Sequence, residues 1–232
     1  MKKNLLFSLF LLFIGVQIGN ANSVKEPNTR IKVYDNCIAP FAVSVSNVTL
    51  TSAQLNWSKG IATDNSWEIL MIPTTTQVPP TDIPPANPVL SDGAFLTSVT
   101  GENPNHIFSN LPQGSIFVAY VRTVCISGEK SSWTVAYVFN TEICAAEDKC
   151  VYKFFPTNTT SSNWNSGRMQ IRQNGIVVAT LGTGGVNNPN GIAVPLCNNA
   201  PFDLYWSAAG TFPETMGVKI VNPFNDIIYN KL

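Results

Sequence analysis

Charge is scarce in this chain of 232 residues: Asp, Glu, Lys and Arg make up 12% of it, roughly half of what a soluble domain usually carries. The 14 basic and 14 acidic residues cancel. No basic run stands out, which removes the electrostatic footprint of a nucleic-acid binder. Histidine is nearly missing, with His106 the single one, so imidazole chemistry and His-rich metal sites have little to draw on. Cys-x-x-Cys pairs are absent, and no stretch after the N-terminus reaches the ~20 apolar residues of a spanning helix. No convincing amphipathic helical period emerges either. What is present instead is 44% hydrophobic residues, including 13 Phe and 5 Trp, which argues against disorder. Asn, Ser and Thr take the polar positions, Asn alone at 25 of them.

The N-terminus reads as an export signal. Met1-Lys2-Lys3 is a short positive head, Leu5 to Val16 is apolar apart from Ser8 and Gly15, and Gly19-Asn20-Ala21 offers small residues for cleavage after Ala21. The alternative, a membrane anchor, asks for a longer run, and no Cys follows until Cys37 to carry a lipid. Residues 1–21 are therefore expected to be a signal peptide. The remaining chain, with 12 basic and 14 acidic residues, is expected to be secreted or cell-surface and not membrane-spanning.

Export changes how the five cysteines read. In an oxidising compartment Cys37, Cys125, Cys144, Cys150 and Cys197 are disulfide candidates before they are metal ligands or nucleophiles. Five is odd, so one thiol is left free, bonded to another chain, or waiting for a partner in further C-terminal domains.

Alternation with period two dominates the mature chain. Ala53, Leu55 and Trp57 alternate with Gln54, Asn56 and Ser58, a strand with one wet face. Trp67, Ile69 and Met71 repeat the pattern, while Leu70 and Ile72 make the second face apolar as well. Ile116–Val124 and Thr134–Phe139 are further β-rich runs. Between Pro73 and Pro88 lie six prolines, which exclude a central strand and predict an extended surface loop. Beyond Cys150 the texture restarts. Met169–Gln173 and Ile176–Thr180 flank Asn174-Gly175, a strong hairpin signal. Ile192–Leu196, Phe202–Trp206, Val218–Val221 and Ile227–Tyr229 follow as strands. Gly182-Thr183-Gly184-Gly185 lacks the Lys-Ser/Thr of a phosphate loop. The pattern predicts an all-β chain of two sandwiches joined near residues 143–149.

Cys37-Ile-Ala-Pro40, Val48–Trp57, Trp67-Glu-Ile69, Leu111-Pro112, Tyr120–Cys125, Ser132-Trp133 and Phe139-Asn-Thr141 follow one another in this order. This set resembles a fibronectin type III module of exported bacterial multi-domain proteins, over residues 36–142. The resemblance implies that Trp57 is a core Trp, that Phe117 stands where the family usually has a Tyr, and that Cys37 pairs with Cys125.

Residues 148–232 contain Cys150–Phe154, Trp164-Asn-Ser-Gly167, Met169–Gly175, Leu196-Cys197, Glu214 and Val221–Phe224. They resemble a β-module found beside such repeats, whose hallmark is an Asp-rich turn of the form D-S-x-G-D-G-W-N-G. This chain has Asn158 and Ser162 where the family has aspartates. An Asp-rich turn holds Ca²⁺ through carboxylate oxygens; without them, no metal and no cofactor is expected.

Catalytic groups are not assembled in the sequence. Glycoside hydrolysis wants two carboxylates roughly 5–10 Å apart, whereas the acidic residues are scattered, and Glu142, Glu147 and Asp148 fall in the linker. A nucleophilic Ser lacks both an elbow motif and a nearby base. No catalytic residue is assigned. Trp133, Tyr120, Trp164 and Tyr205 lie on runs whose opposite face suits the core better, so they are either surface anchors or core fillers. The expected function is a non-catalytic binding, adhesion or spacer protein with a protein or glycan surface partner. The alternatives are a carbohydrate-binding protein using Trp164, Asn187, Asn188 and Asn190, and the non-catalytic front end of a longer exported hydrolase.

Overall fold

In the first half of the chain the period-two strands pair as two antiparallel sheets. Strands β1 (Phe41–Ser46), β2 (Ser52–Ser58) and β5 (Asn105–Ser109) form a three-stranded sheet in the order β1-β2-β5. Strands β3 (Ser66–Thr74), β4 (Phe95–Thr100), β6 (Ile116–Thr123) and β7 (Tyr137–Asn140) form the facing sheet in the order β4-β3-β6-β7. This computed structural model describes residues 37–161, 163–182 and 186–231; the expected signal peptide and Ser162 lie outside them. Among the described residues helix is limited to two three-residue 3-10 turns, Ala146–Asp148 and Pro213–Thr215. No helix there is long and apolar enough to cross a membrane.

The core follows from alternation. Ala53, Leu55 and Trp57 of β2 meet Trp67, Ile69 and Met71 of β3. The Trp57 and Trp67 rings pack edge-on at 5.4 Å. Phe117 is buried and stacks on Phe139 at 5.6 Å, so the ring packs without the hydroxyl of a Tyr.

Strand β6 is buried along its whole length, on both faces. One face lies in the core. On the other, Leu70, Val118, Tyr120 and Trp133 form a second apolar cluster, and the proline-rich segment between β3 and β4 is tied down over it. The Tyr120 hydroxyl donates to Asp82 O at 3.4 Å, the Trp133 indole N–H to Pro85 O at 3.1 Å, and Arg122 Nη1 to Ala86 O. The expected surface loop is thus also the lid of a sheet face. One expectation needs correction: Pro73 belongs to β3, a central strand, opposite Phe117 of β6. The β4 ladder has ended by then, at Met71 opposite Phe95. At Pro73 the strand has a neighbour on one side alone, where a sheet tolerates a residue without an N–H.

A buried ion cluster fastens this arrangement. Arg122 donates Nε and Nη2 to Glu68 Oε2 at 2.8 and 2.6 Å, and lies 4.1 Å from the Trp133 ring centroid. Lys130 donates to the other carboxylate oxygen at 2.7 Å. With every side of the pair satisfied, deleting one partner would strand a buried charge.

The second half has a different topology. Strands β8 (Lys149–Asn158), β11 (Ile192–Cys197), β13 (Met216–Val221) and β14 (Ile227–Lys231) pair in the order β11-β8-β13-β14. Strands β9 (Arg168–Gln173), β10 (Ile176–Leu181) and β12 (Phe202–Ala208) pair in the order β10-β9-β12. Asn174 and Gly175 turn the β9–β10 hairpin, both at positive φ (52° and 77°), as a two-residue turn of this kind requires. Phe154, Ile171, Leu181, Leu196, Val218 and Ile220 fill the space between the sheets.

Two disulfides close within the chain, Cys37–Cys125 and Cys144–Cys197, each with its Cα atoms 5.8 Å apart. The first is the pair implied by the fibronectin resemblance. The odd cysteine is Cys150, a free thiol on β8.

Glu68 carries a prediction. Burial alone would raise its pKa, but the hydrogen bonds and charges of Lys130 and Arg122 outweigh it and hold the carboxyl below its ordinary value. A carboxyl lowered on folding stabilises the native state above its unfolded pKa, and that stability is lost as the pH falls through the folded value. Urea unfolding of wild type and Glu68→Gln should show a wide gap at neutral pH that closes on acidification. A gap independent of pH would rule Glu68 out as the group responsible.

Candidate functional site

Trp164 is the largest correction to the sequence reading. It lies in a polar turn, yet its side chain is completely buried. Its indole N–H donates to Thr157 O at 2.7 Å, and its ring sits 4.9 Å from that of Trp206. A nearby glycine makes the room: a Cβ on Gly182 (φ +87°) would stand 2.7 Å from the Trp164 ring. A ring enclosed in this way has no face for a ligand. Tyr120 and Trp133 are likewise buried, beneath the proline-rich segment. Tyr205 alone of the four aromatics is exposed.

Asn187, Asn188 and Asn190 are exposed, but they serve their own turn. Asn187 Oδ1 accepts from the Asn158 N–H at 3.4 Å, and Asn188 Oδ1 from the Asn190 N–H at 3.0 Å. They share no face with an exposed aromatic ring through Trp164.

Asn158 organises the neighbouring turn. Its Oδ1 accepts from the Thr160 and Ser161 N–H groups at 2.8 and 3.0 Å, while its Nδ2 donates to Asn163 O at 3.0 Å. An amide both accepts and donates, whereas an ionised carboxylate only accepts. The turn is therefore closed by hydrogen bonds of its own. Among the described residues no three Asp, Glu, His or Cys side chains cluster to hold a metal. His106 lies on β5, edge-on to Phe108 at 4.6 Å, and burial lowers its pKa. Glu142 faces Lys149 at 3.5 Å.

The exposed surface of the β10-β9-β12 sheet is where polar groups and a half-exposed aromatic ring do converge. Register places Gln170 opposite Tyr205 and Arg172 opposite Asp203, all on one face. Arg172 donates Nε and Nη2 to Asp203 Oδ2 and stacks 4.1 Å from the Tyr205 ring centroid. Across from them, the chain leaving β3 forms a wall at Thr75, Thr76 and Gln77. The two sandwiches belong to one compact unit, and Gln77 joins them: its Nε2 donates to Asn140 Oδ1 on β7 at 2.9 Å, and its Oε1 accepts from the Val177 N–H on β10 at 2.8 Å. The result is a polar groove of about 510 Å³ with Tyr205 and Ser207 on its floor. Sequence reading named Tyr205 but missed Arg172, Gln170 and Gln77. The alternation Arg168-x-Gln170-x-Arg172 beside Asp203-x-Tyr205-x-Ser207 was the available signal.

A second cavity, about 480 Å³ and mostly apolar, opens between the proline-rich segment and the sheet beneath it, floored by Leu70, Ile72 and Tyr120.

No family model matches this chain, and no curated protein does. Solved structures that it resembles include an FN3 domain of human collagen XX, at 16% identity over 46% of this chain and 94% of that one, with a TM-score of 0.35. A two-domain fibronectin type III segment of chicken tenascin is 11% identical over 79% of this chain and 90% of that one, with a TM-score of 0.35. The central fibronectin-III array of RIM-binding protein is 14% identical over 80% and 63%, with a TM-score of 0.32. The fold itself rests on strand order. The first sandwich, β1-β2-β5 against β4-β3-β6-β7, is fibronectin type III-like. The second sandwich pairs its first strand with its fourth and sixth, so it is no repeat of the first.

Trp164→Ala should act on stability rather than on surface recognition. Removing a buried Trp costs about 3–5 kcal/mol, to be read as a lower urea midpoint. A midpoint equal to wild type would return Trp164 to the surface.

Proposed function

We propose that this is an exported, non-catalytic β-sandwich protein that holds a recognition surface at a fixed distance and orientation on or outside the cell. The observation that carries it is the stapled junction. The linker leaving β7 bends through Cys144, whose disulfide to Cys197 fastens it to the end of β11. Gln113 Nε2 donates to Ile143 O at 2.6 Å, and Gln77 bridges β7 and β10. Inter-domain contacts within a chain usually leave domains free to move; a covalent tie flanked by side-chain bridges removes much of that freedom. Two disulfides and the N-terminal segment that reads as a signal support an oxidising destination. Carbohydrate binding is the second reading, favoured by the groove that carries Tyr205 rather than by Trp164 and the Asn187 turn.

The test is a distance distribution between spin labels on the two sandwiches, at Ser98→Cys and Asn225→Cys in a Cys150→Ser background. A single narrow distance is expected, broadening when Cys144→Ser and Cys197→Ser are added. A broad distribution before the disulfide is removed would end the spacer reading.

A further inference from the structure

We propose that the groove on the β10-β9-β12 face binds a neutral glycan, with Tyr205 as its stacking platform and Gln170 and Arg172 as its hydrogen-bonding groups. This rests on the reading of the chain as a binding protein and names the ligand class of its groove.

Three features select a sugar. First, the floor pairs one half-exposed aromatic ring with polar neighbours. A pyranose has the same mixture, with C–H patches that pack on a ring face and hydroxyls that need partners around the rim. Second, the polar groups are held in place before any ligand arrives. Arg172 is fixed between the Asp203 carboxylate and the Tyr205 ring, so little side-chain freedom remains to be lost on binding. Its Nη1 and the Gln170 amide have no hydrogen-bond partner among the described residues, and both are planar groups suited to vicinal hydroxyls. Third, charge points to a neutral ligand. Among the described residues Arg172 is the one charged side chain lining the groove, and Asp203 pairs it, so a sulfated or uronic acid polymer would find no unpaired cation in the lining. An apolar ligand would find Val78 and Val177 but mostly amides and hydroxyls around them.

Affinity electrophoresis of the whole exported protein through gels containing β-glucan, xylan or galactomannan tests this, with polygalacturonate and heparin as anionic comparators. At least one neutral polymer should retard the protein. Tyr205→Ala should weaken that retardation about tenfold, the scale of one lost stacking partner, and Gln170→Ala should weaken it severalfold. Tyr205→Phe should stay close to wild type, because the ring face rather than the hydroxyl carries the contact. Phe224→Ala, remote from the groove on the β13–β14 turn, should change nothing. Gln170→Ala decides the matter if Tyr205→Ala does not fold. Absence of retardation by every neutral polymer, retardation by the anionic ones alone, or binding that Tyr205→Ala and Gln170→Ala both leave intact would each overturn the proposal. A protein with one narrow label-to-label distance and no glycan retention would lose this ligand while keeping its role as a spacer.

Discussion

Arg122 pins the proline-rich segment to the first sandwich. Its guanidinium is buried between a sheet face and the segment that covers it, a position that is costly unless its donors find acceptors. Glu68 on the adjacent strand, the Ala86 carbonyl from the proline-rich segment and the face of Trp133 meet that demand. Because one of those partners belongs to the segment between β3 and β4, satisfying the charge also holds the segment against the sheet. Leu70, Val118 and Tyr120 then face protein rather than water, which explains a strand as uniformly buried as β6. Remove the pin, and an apolar sheet face and a loop with few contacts of its own would both be left open.

The second sandwich works by other means. Its strand order differs from the first, and its inner space is shaped by a glycine close to a Trp. What unites the halves is the junction, where a disulfide, two glutamines and an ion pair between Glu142 and Lys149 act over a few residues. The groove lies beside that junction, and one of its walls comes from the first sandwich and its floor from the second. Its shape therefore depends on their mutual placement.

Much of the fold was legible because period two is a direct consequence of the pleat. The strands around Leu55, Ile69, Val118 and Ile171 and the turn at Asn174-Gly175 could all be read from pattern. The aromatic positions could not be read so well. Alternation says that a side chain leaves the inner face; it does not say whether something else covers the outer one. Tyr120 and Trp133 are covered by a distant loop, and Trp164 is enclosed by a glycine 18 positions further along the chain. Polar flanks made Trp164 look exposed, but Asn158 and its neighbours are polar because they close a turn, not because they face a ligand. Tyr205 has no such cover, and it is the aromatic left for the candidate site.

Cys150 has a further consequence. On β8 it lies opposite Leu196, whereas Cys197 lies opposite Lys149. Successive residues of a strand point to opposite faces, so the native register directs the odd thiol away from the half-cystine that is only one rung distant. A slip of one residue would put both sulfurs on the same side. Misalignment of this strand pair and mispairing of its cysteines are thus a single error. A Cys150–Cys197 bond would lock in the slipped ladder, and the alternation of the pleat keeps the native register clear of it.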